Sequence, residues 1–161
     1  MKKSRQDFIQ QSTLGLMGVF LSPAVFGGVD SANEGTVVHA DEGETYWIGR
    51  RNSPLTIKIA KDKQGHASMC FCSEDIAPGE QIPIHKHLNE AELIFIFNGT
   101  GVLTLDTKEE KVKKGSAALV PKELWHGIKN TGTETLTMLF SYSPAGFEGY
   151  FREFGSPVGT P

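Results

Sequence analysis

Residues 79–99 read GEQIPIHKHLNEAELIFIFNG and residues 115–130 read GSAALVPKELWHGIKN. Both stretches break into short runs bounded by glycine, proline or asparagine, which is how strands joined by tight turns read. Working outward, Leu55, Ile57 and Ile59 alternate with Thr56 and Lys58, and Leu103 and Leu105 alternate with Thr104 and Asp106. Leu136, Met138, Phe140 and Tyr142 line one face opposite Thr135, Thr137 and Ser141. Period-two alternation is the signature of strands with one buried face. Turn signals at Arg51-Asn52-Ser53-Pro54, Lys63-Gln64-Gly65, Ala77-Pro78-Gly79, Asn98-Gly99 and Asn130-Thr131-Gly132 punctuate the runs. With no crossover helices to support a parallel sheet, the pattern predicts an all-β antiparallel barrel or sandwich.

Two segments depart from simple alternation. Leu93-Ile94-Phe95-Ile96-Phe97 is apolar on both faces, so its outer side calls for cover by a second sheet, by N-terminal strands or by another subunit. A homodimer is the favoured cover. Near the C-terminus Phe147, Tyr150, Phe151 and Phe154 fall at i, i+3, i+4 and i+7 before Gly155, which predicts a short amphipathic helix lying against the barrel. Such a helix either seals core surface or gates a pocket.

The chain of 161 residues is 39% hydrophobic and 22% charged, with a formal charge of −3, a composition that suits one globular domain and disfavours a disordered chain. Lys and Arg number 16 against 19 Asp and Glu, and no helix-turn-helix precedes the strands, so a nucleic-acid partner is not expected. Lys2, Lys3 and Arg5 form a basic head before the apolar run Leu14–Leu21, which Ser22-Pro23 closes. That run is too short and interrupted for a good membrane span, and residues 1–31 read as an export leader. The leader resembles a twin-arginine signal with Gln6 in place of the second arginine. Cleavage fits after Ser31 or after Ala40, and an uncleaved anchor is the alternative. The expectation is a domain over 32–161 in the periplasm or outside the cell, with no other membrane contact. Cys70 and Cys72 sit two apart on one strand face, a spacing that rarely allows a mutual disulfide, so both read as free thiols.

Chemistry-bearing residues concentrate between Gly79 and Asn130. His85 and His87 are one residue apart in a segment that reads as a strand, which projects both imidazoles from one face. Glu92 enters the next strand, where an antiparallel neighbour brings its carboxylate within reach, and His126 arrives from a later strand over 125–130. Three imidazoles and a carboxylate converging inside a barrel are costly to bury unless ligated, and they suit a divalent transition metal. Taken singly, each histidine reads more simply as an ordinary strand or surface residue. Glu90 competes for the carboxylate role but lies in the expected turn, and His39 and His66 read as surface or loop residues. Strand parity places Ile94, Ile96 and Ile128 on the metal side as pocket-lining candidates, with Trp125 on the opposite face in a packing role.

Order and spacing raise the case beyond its single residues. Gly79, five residues, His85-Lys86-His87, four residues, Glu92, six residues and Gly99 are followed by Gly115, five residues, Pro121, four residues, His126, three residues and Asn130. This resembles the two signature motifs of the cupin superfamily, at 79–99 and 115–130, with Glu123 standing where the second motif usually has glycine. The resemblance implies a double-stranded β-helix, a jelly-roll-like barrel, holding one metal ion on His85, His87, Glu92 and His126. Four protein ligands leave two octahedral positions for water, dioxygen or a chelating small molecule, and the donors accept Fe, Mn, Ni, Co or Zn. The tail 143–151 looks loosely like small single-domain cupins of the quercetin-dioxygenase-like group, which tilts the reading toward a dioxygenase-type oxidoreductase. A Lewis-acid isomerase or decarboxylase, and a non-catalytic module binding a sugar or organic acid, are the alternatives.

Overall fold

The computed structural model describes residues 35–49, 53–65 and 67–158, all within the unit Ser31–Pro161. The expected leader and His66 lie outside the described residues. The chain runs through β1 (Glu44–Ile48), β2 (Pro54–Ile59), a single-turn helix α1 (Lys61–Gln64), β3 (Phe71–Ile76), β4 (Gln81–His85), β5 (Ala91–Asn98) and β6 (Thr100–Leu105). It continues through β7 (Lys108–Lys113), β8 (Ala117–Val120), β9 (His126–Asn130), β10 (Leu136–Ser143), α2 (Glu148–Phe154) and β11 (Gly155–Pro157). Seven strands form one sheet in the order β11-β1-β2-β3-β10-β5-β8, and four form a second in the order β4-β9-β6-β7. Their pairings are antiparallel. The all-β fold and the short C-terminal helix are therefore as the sequence predicts. Among the described residues no helix is long and apolar enough to cross a membrane.

Alternation builds the core directly. On β10, Leu136, Met138, Phe140 and Tyr142 are buried while the residues between them are half-buried. Register then lays inward residues in rows across three strands: Cys72, Phe140 and Ile94; Glu74, Met138 and Ile96. Leu103 and Ile128 face them from the second sheet in one apolar cluster. Cys70 and Cys72 are free and buried. Their mutual hydrogen bond, and then burial, push the Cys72 thiol well above its ordinary value, which keeps it a neutral core group.

Glycine is required where backbones meet. Gly99 adopts φ 83°, and a Cβ there would come within 2.7 Å of the Leu136 Cα and the Thr135 carbonyl oxygen.

The C-terminal helix is tied down by charge rather than by its apolar stripe alone. The buried Glu148 carboxylate accepts hydrogen bonds from the Lys61 and Gly146 backbone N–H groups at 2.8 and 2.7 Å. Arg152 donates twice to Glu44, at 2.7 and 2.9 Å, and once to Asp62 at 2.9 Å. Phe151 faces the core while Tyr150 and Phe154 stay exposed, so the apolar stripe is only partly covered.

Asn130 holds the turn after β9. Fully buried, it donates from Nδ2 to the Ile76 and Glu134 carbonyls, both at 2.8 Å, and its Oδ1 accepts from the Gly132 N–H at 2.9 Å. An alanine would leave three polar backbone groups short of a partner, each costing about 1–3 kcal/mol when buried. Asn130→Ala is expected to lower the free energy of unfolding by about 3 kcal/mol in chemical denaturation, and a loss under about 1 kcal/mol would show that solvent reaches the turn.

Candidate metal centre

The donors arrive from three places. β4 pairs with β9 at Gln81↔Lys129 and Ile82↔Ile128, then, across a register shift, at His85↔His126. The strand ends there, so His87 lies beyond it in irregular backbone. The expectation that both imidazoles leave one strand face is corrected accordingly: the chain departs from the sheet at Lys86, and the His87 carbonyl accepts instead from the Glu123 N–H at 2.7 Å. Glu92 is the second residue of β5, opposite Tyr142. Gly127 permits the close approach of β4 to β9, since a Cβ there would lie 2.8 Å from the Ile82 carbonyl oxygen. Nothing in the strand pattern singled it out.

His85, His87, Glu92 and His126 each offer a donor atom, and these atoms lie within 4.8 Å of one another. His85 Nδ1 is 2.8 Å from the Pro83 carbonyl oxygen, and His126 Nδ1 is 2.9 Å from that of Leu124. A carbonyl only accepts, so both Nδ1 atoms carry protons and both Nε2 atoms point inward. His126 Nε2 lies 2.8 Å from Glu92 Oε2. Glu90 and His39 stand apart from this group.

Electrostatics follows from burial and proximity. Burial works against a charge on Glu92, but the His126 and His87 imidazoles outweigh it and hold the carboxyl below its ordinary value. Burial also disfavours a cationic His126, yet its bonds to Glu92 and Leu124 prevail and raise it. His85 moves the other way: burial outweighs the Pro83 bond, and the neighbouring histidines add to the lowering. Burial foremost, then the Glu92 charge, pushes the Tyr142 hydroxyl well up, so it persists as a neutral donor.

His87 is the test of whether a metal fits. It is buried, its ring sits edge-on to Phe147 at 4.2 Å and to Tyr142 at 4.7 Å, and neither ring nitrogen has a hydrogen-bond partner. Nε2 comes within 3.4 Å of Glu92 Oε2 without hydrogen-bond alignment. An imidazole packed among aromatic rings with no hydrogen-bond partner costs about 1–3 kcal/mol per unsatisfied group. Coordination by a cation would satisfy it, so the residues present fit a metal.

The cluster opens on a cavity of about 460 Å³. Ile94 and Ile128 lie on its wall; Ile96, buried in the apolar core, does not. Phe147, Tyr150 and Phe151 reach the same cavity from the C-terminal segment, so α2 does more than seal core surface. Trp125 is half-exposed on the outside, with Lys86 Nζ 5.1 Å above its ring. Sequence reasoning passed over Glu74, which lines the cavity at 3% exposure. Its signal was available: it shares strand parity with Cys72 and Ile76.

Residues 73–142 match the family model described as a cupin domain. An uncharacterized protein of Methanocaldococcus jannaschii is 37% identical over 78 residues, a match that spans 47% of this chain and 62% of that one. An oxalate-binding protein of Thermotoga maritima is 28% identical over 91 residues, spanning 56% of this chain and 75% of that protein. Among solved structures, a predicted oxalate decarboxylase of Thermotoga maritima superposes with TM-score 0.62 at 24% identity, covering 68% of this chain and 99% of its own. With two antiparallel sheets and this match, the chain carries a cupin domain over residues 73–142.

Proposed function

We propose that the domain holds one divalent transition-metal ion on His85, His87, Glu92 and His126 and acts as a dioxygenase-type oxidoreductase on a small oxygen-bearing organic molecule. The observation that carries the metal site is the convergence of four donors within 4.8 Å around the unpartnered imidazole of His87. Iron, manganese, nickel, cobalt or zinc suits three imidazoles and a carboxylate. Such an ion, when bound, polarises and orients oxygen-bearing ligands and, where redox-active, supports chemistry with dioxygen.

The chain's own residues prepare the site. Burial keeps His85 neutral, as ligation requires, and the ionised Glu92 offsets part of a cation's charge. The Pro83 and Leu124 carbonyls fix two rings through Nδ1, while Phe147 and Tyr142 pack the third. Ile94 and Ile128 make the adjoining wall apolar and keep water from it. The similarity to an oxalate-binding protein favours a second reading, in which the same centre anchors a small acid without turnover.

Purified protein is expected to take up one metal equivalent, and His87→Ala to weaken that uptake at least about 100-fold; unchanged stoichiometry and affinity would refute the ligand assignment. Oxygen uptake with catechols, flavonols and 1,3-diketones by protein loaded with iron, manganese or nickel separates the two readings. Binding without uptake would leave the binding module.

We also propose a homodimer through the outer face of β5. Leu93, Phe97 and Leu119 are 51%, 56% and 68% exposed, and Leu93 pairs directly with Leu119 across β5 and β8. A flat apolar sheet face of this kind is what a second copy of the chain would cover. Leu93→Lys is expected to shift sedimentation from dimer to monomer without altering metal stoichiometry, and a monomeric wild-type protein would overturn the proposal.

A further inference from the structure

Three cavity side chains carry a hydroxyl or an ammonium group, and one of them is buried. Lys86 and Tyr150 line the cavity but are exposed, so water competes for their protons. Tyr142 is 3% exposed. Register sets it beside the donor cluster: Tyr142 on β10 lies directly opposite Glu92 on β5, and directly opposed residues of one sheet face hold their Cβ atoms within about 5.5 Å of each other. Neighbouring rings fix the phenol from several sides, with the centroids of His87, Phe147 and Phe140 at 4.7, 4.9 and 5.5 Å. Burial first, and then the charge of Glu92, keep the proton on its oxygen. The Glu92 carboxylate is itself engaged by His126, whose Nε2 lies 2.8 Å from Oε2. A protonated phenol on the cavity wall beside this cluster favours an oxygen acceptor arriving there.

We propose that Tyr142 determines which molecules the centre accepts, its hydroxyl donating a hydrogen bond to an oxygen that the bound molecule presents beside the metal donors. The class of ligand follows: the molecule brings an anionic oxygen acceptor, an enolate or a carboxylate, to that end of the cavity. The inference rests on the metal reading above and goes beyond it by naming the group that orients the ligand. The proton stays on Tyr142 throughout, so the role is a hydrogen bond and not a transfer. It is also separate from the packing of the ring against His87, which phenylalanine would preserve.

Two small metal-binding probes test it, titrated calorimetrically into cobalt-loaded protein whose metal content has been measured. Acetohydroxamate presents anionic oxygens that accept a hydrogen bond, whereas 1-methylimidazole, once bound through its one free nitrogen, has no acceptor left. Tyr142→Phe is expected to weaken acetohydroxamate about tenfold, the worth of one hydrogen bond to a charged group, and to leave 1-methylimidazole within about twofold. Cobalt stoichiometry is expected to stay the same. A loss under about threefold for acetohydroxamate, an equal loss for both probes, or loss of cobalt from Tyr142→Phe would overturn the assignment, the last two by reducing Tyr142 to support of the metal donors. A crystal structure of the cobalt-loaded wild type with acetohydroxamate decides independently of variant and control. It is expected to place Tyr142 Oη within about 3.2 Å of a hydroxamate oxygen, and a separation above about 4 Å, or no bound acetohydroxamate, would overturn the inference while leaving the metal centre standing. Failure of the wild type to take up cobalt would instead overturn the metal centre, and the inference with it.

Discussion

The structure is organised around a carboxylate that has no business in a hydrophobic core without partners. Glu92 is 3% exposed between two sheets; His126 approaches it from a strand 34 residues later, and His87 from the irregular backbone just before β5. Because side chains alternate, a one-residue slip of β5 against β10 would turn Glu92 outward and bring Leu93 into the core. A slip of β4 against β9 would part His85 from His126. The apolar rows tolerate no slip for reasons of area, and the polar cluster tolerates none for reasons of charge. Both constraints select the same register, which is what a sequence that specifies one fold requires.

The C-terminal segment carries this order from the rim into the cavity. Glu148 and Arg152 tie α2 to α1 and β1 through charged hydrogen bonds, so the aromatic residues at its start are held by contacts remote from the site. Phe147 meets the His87 ring, and Phe147 and Tyr150 stack nearly parallel at 5.4 Å. The packing of one candidate ligand thus depends on a segment anchored away from the site.

What was legible in the sequence was local. Period two gave the inward rows of β10 and β5, and glycine marked turns such as Gly99, because parity and turn chemistry depend only on near neighbours in the chain. The spacing of histidines and Glu92 was legible as a family pattern. Glu74 was not recognised, although its parity pointed inward, because its place opposite Met138 depends on the pairing of β3 with β10, some sixty residues apart. Gly127 escaped for a similar reason: its role is to let β4 approach β9, a contact no strand records in its own pattern. His87 was read as part of a strand because alternation cannot show where a sheet stops.

The departure from the family pattern at Glu123 explains how His87 is held once it has left that sheet. Glu123 takes φ 63°, a left-handed conformation that costs a non-glycine residue about 1 kcal/mol or more. Glycine would adopt it freely, which accounts for the usual residue there. In that conformation the Glu123 N–H donates to the His87 carbonyl at 2.7 Å. The turn before β9 therefore does for His87 what a neighbouring strand does for His85, replacing a ladder bond with a single backbone bond from the second motif. The two motifs are joined in this way as backbone before any ligand joins them as side chains, and the glutamate keeps the turn's geometry while changing only what faces solvent.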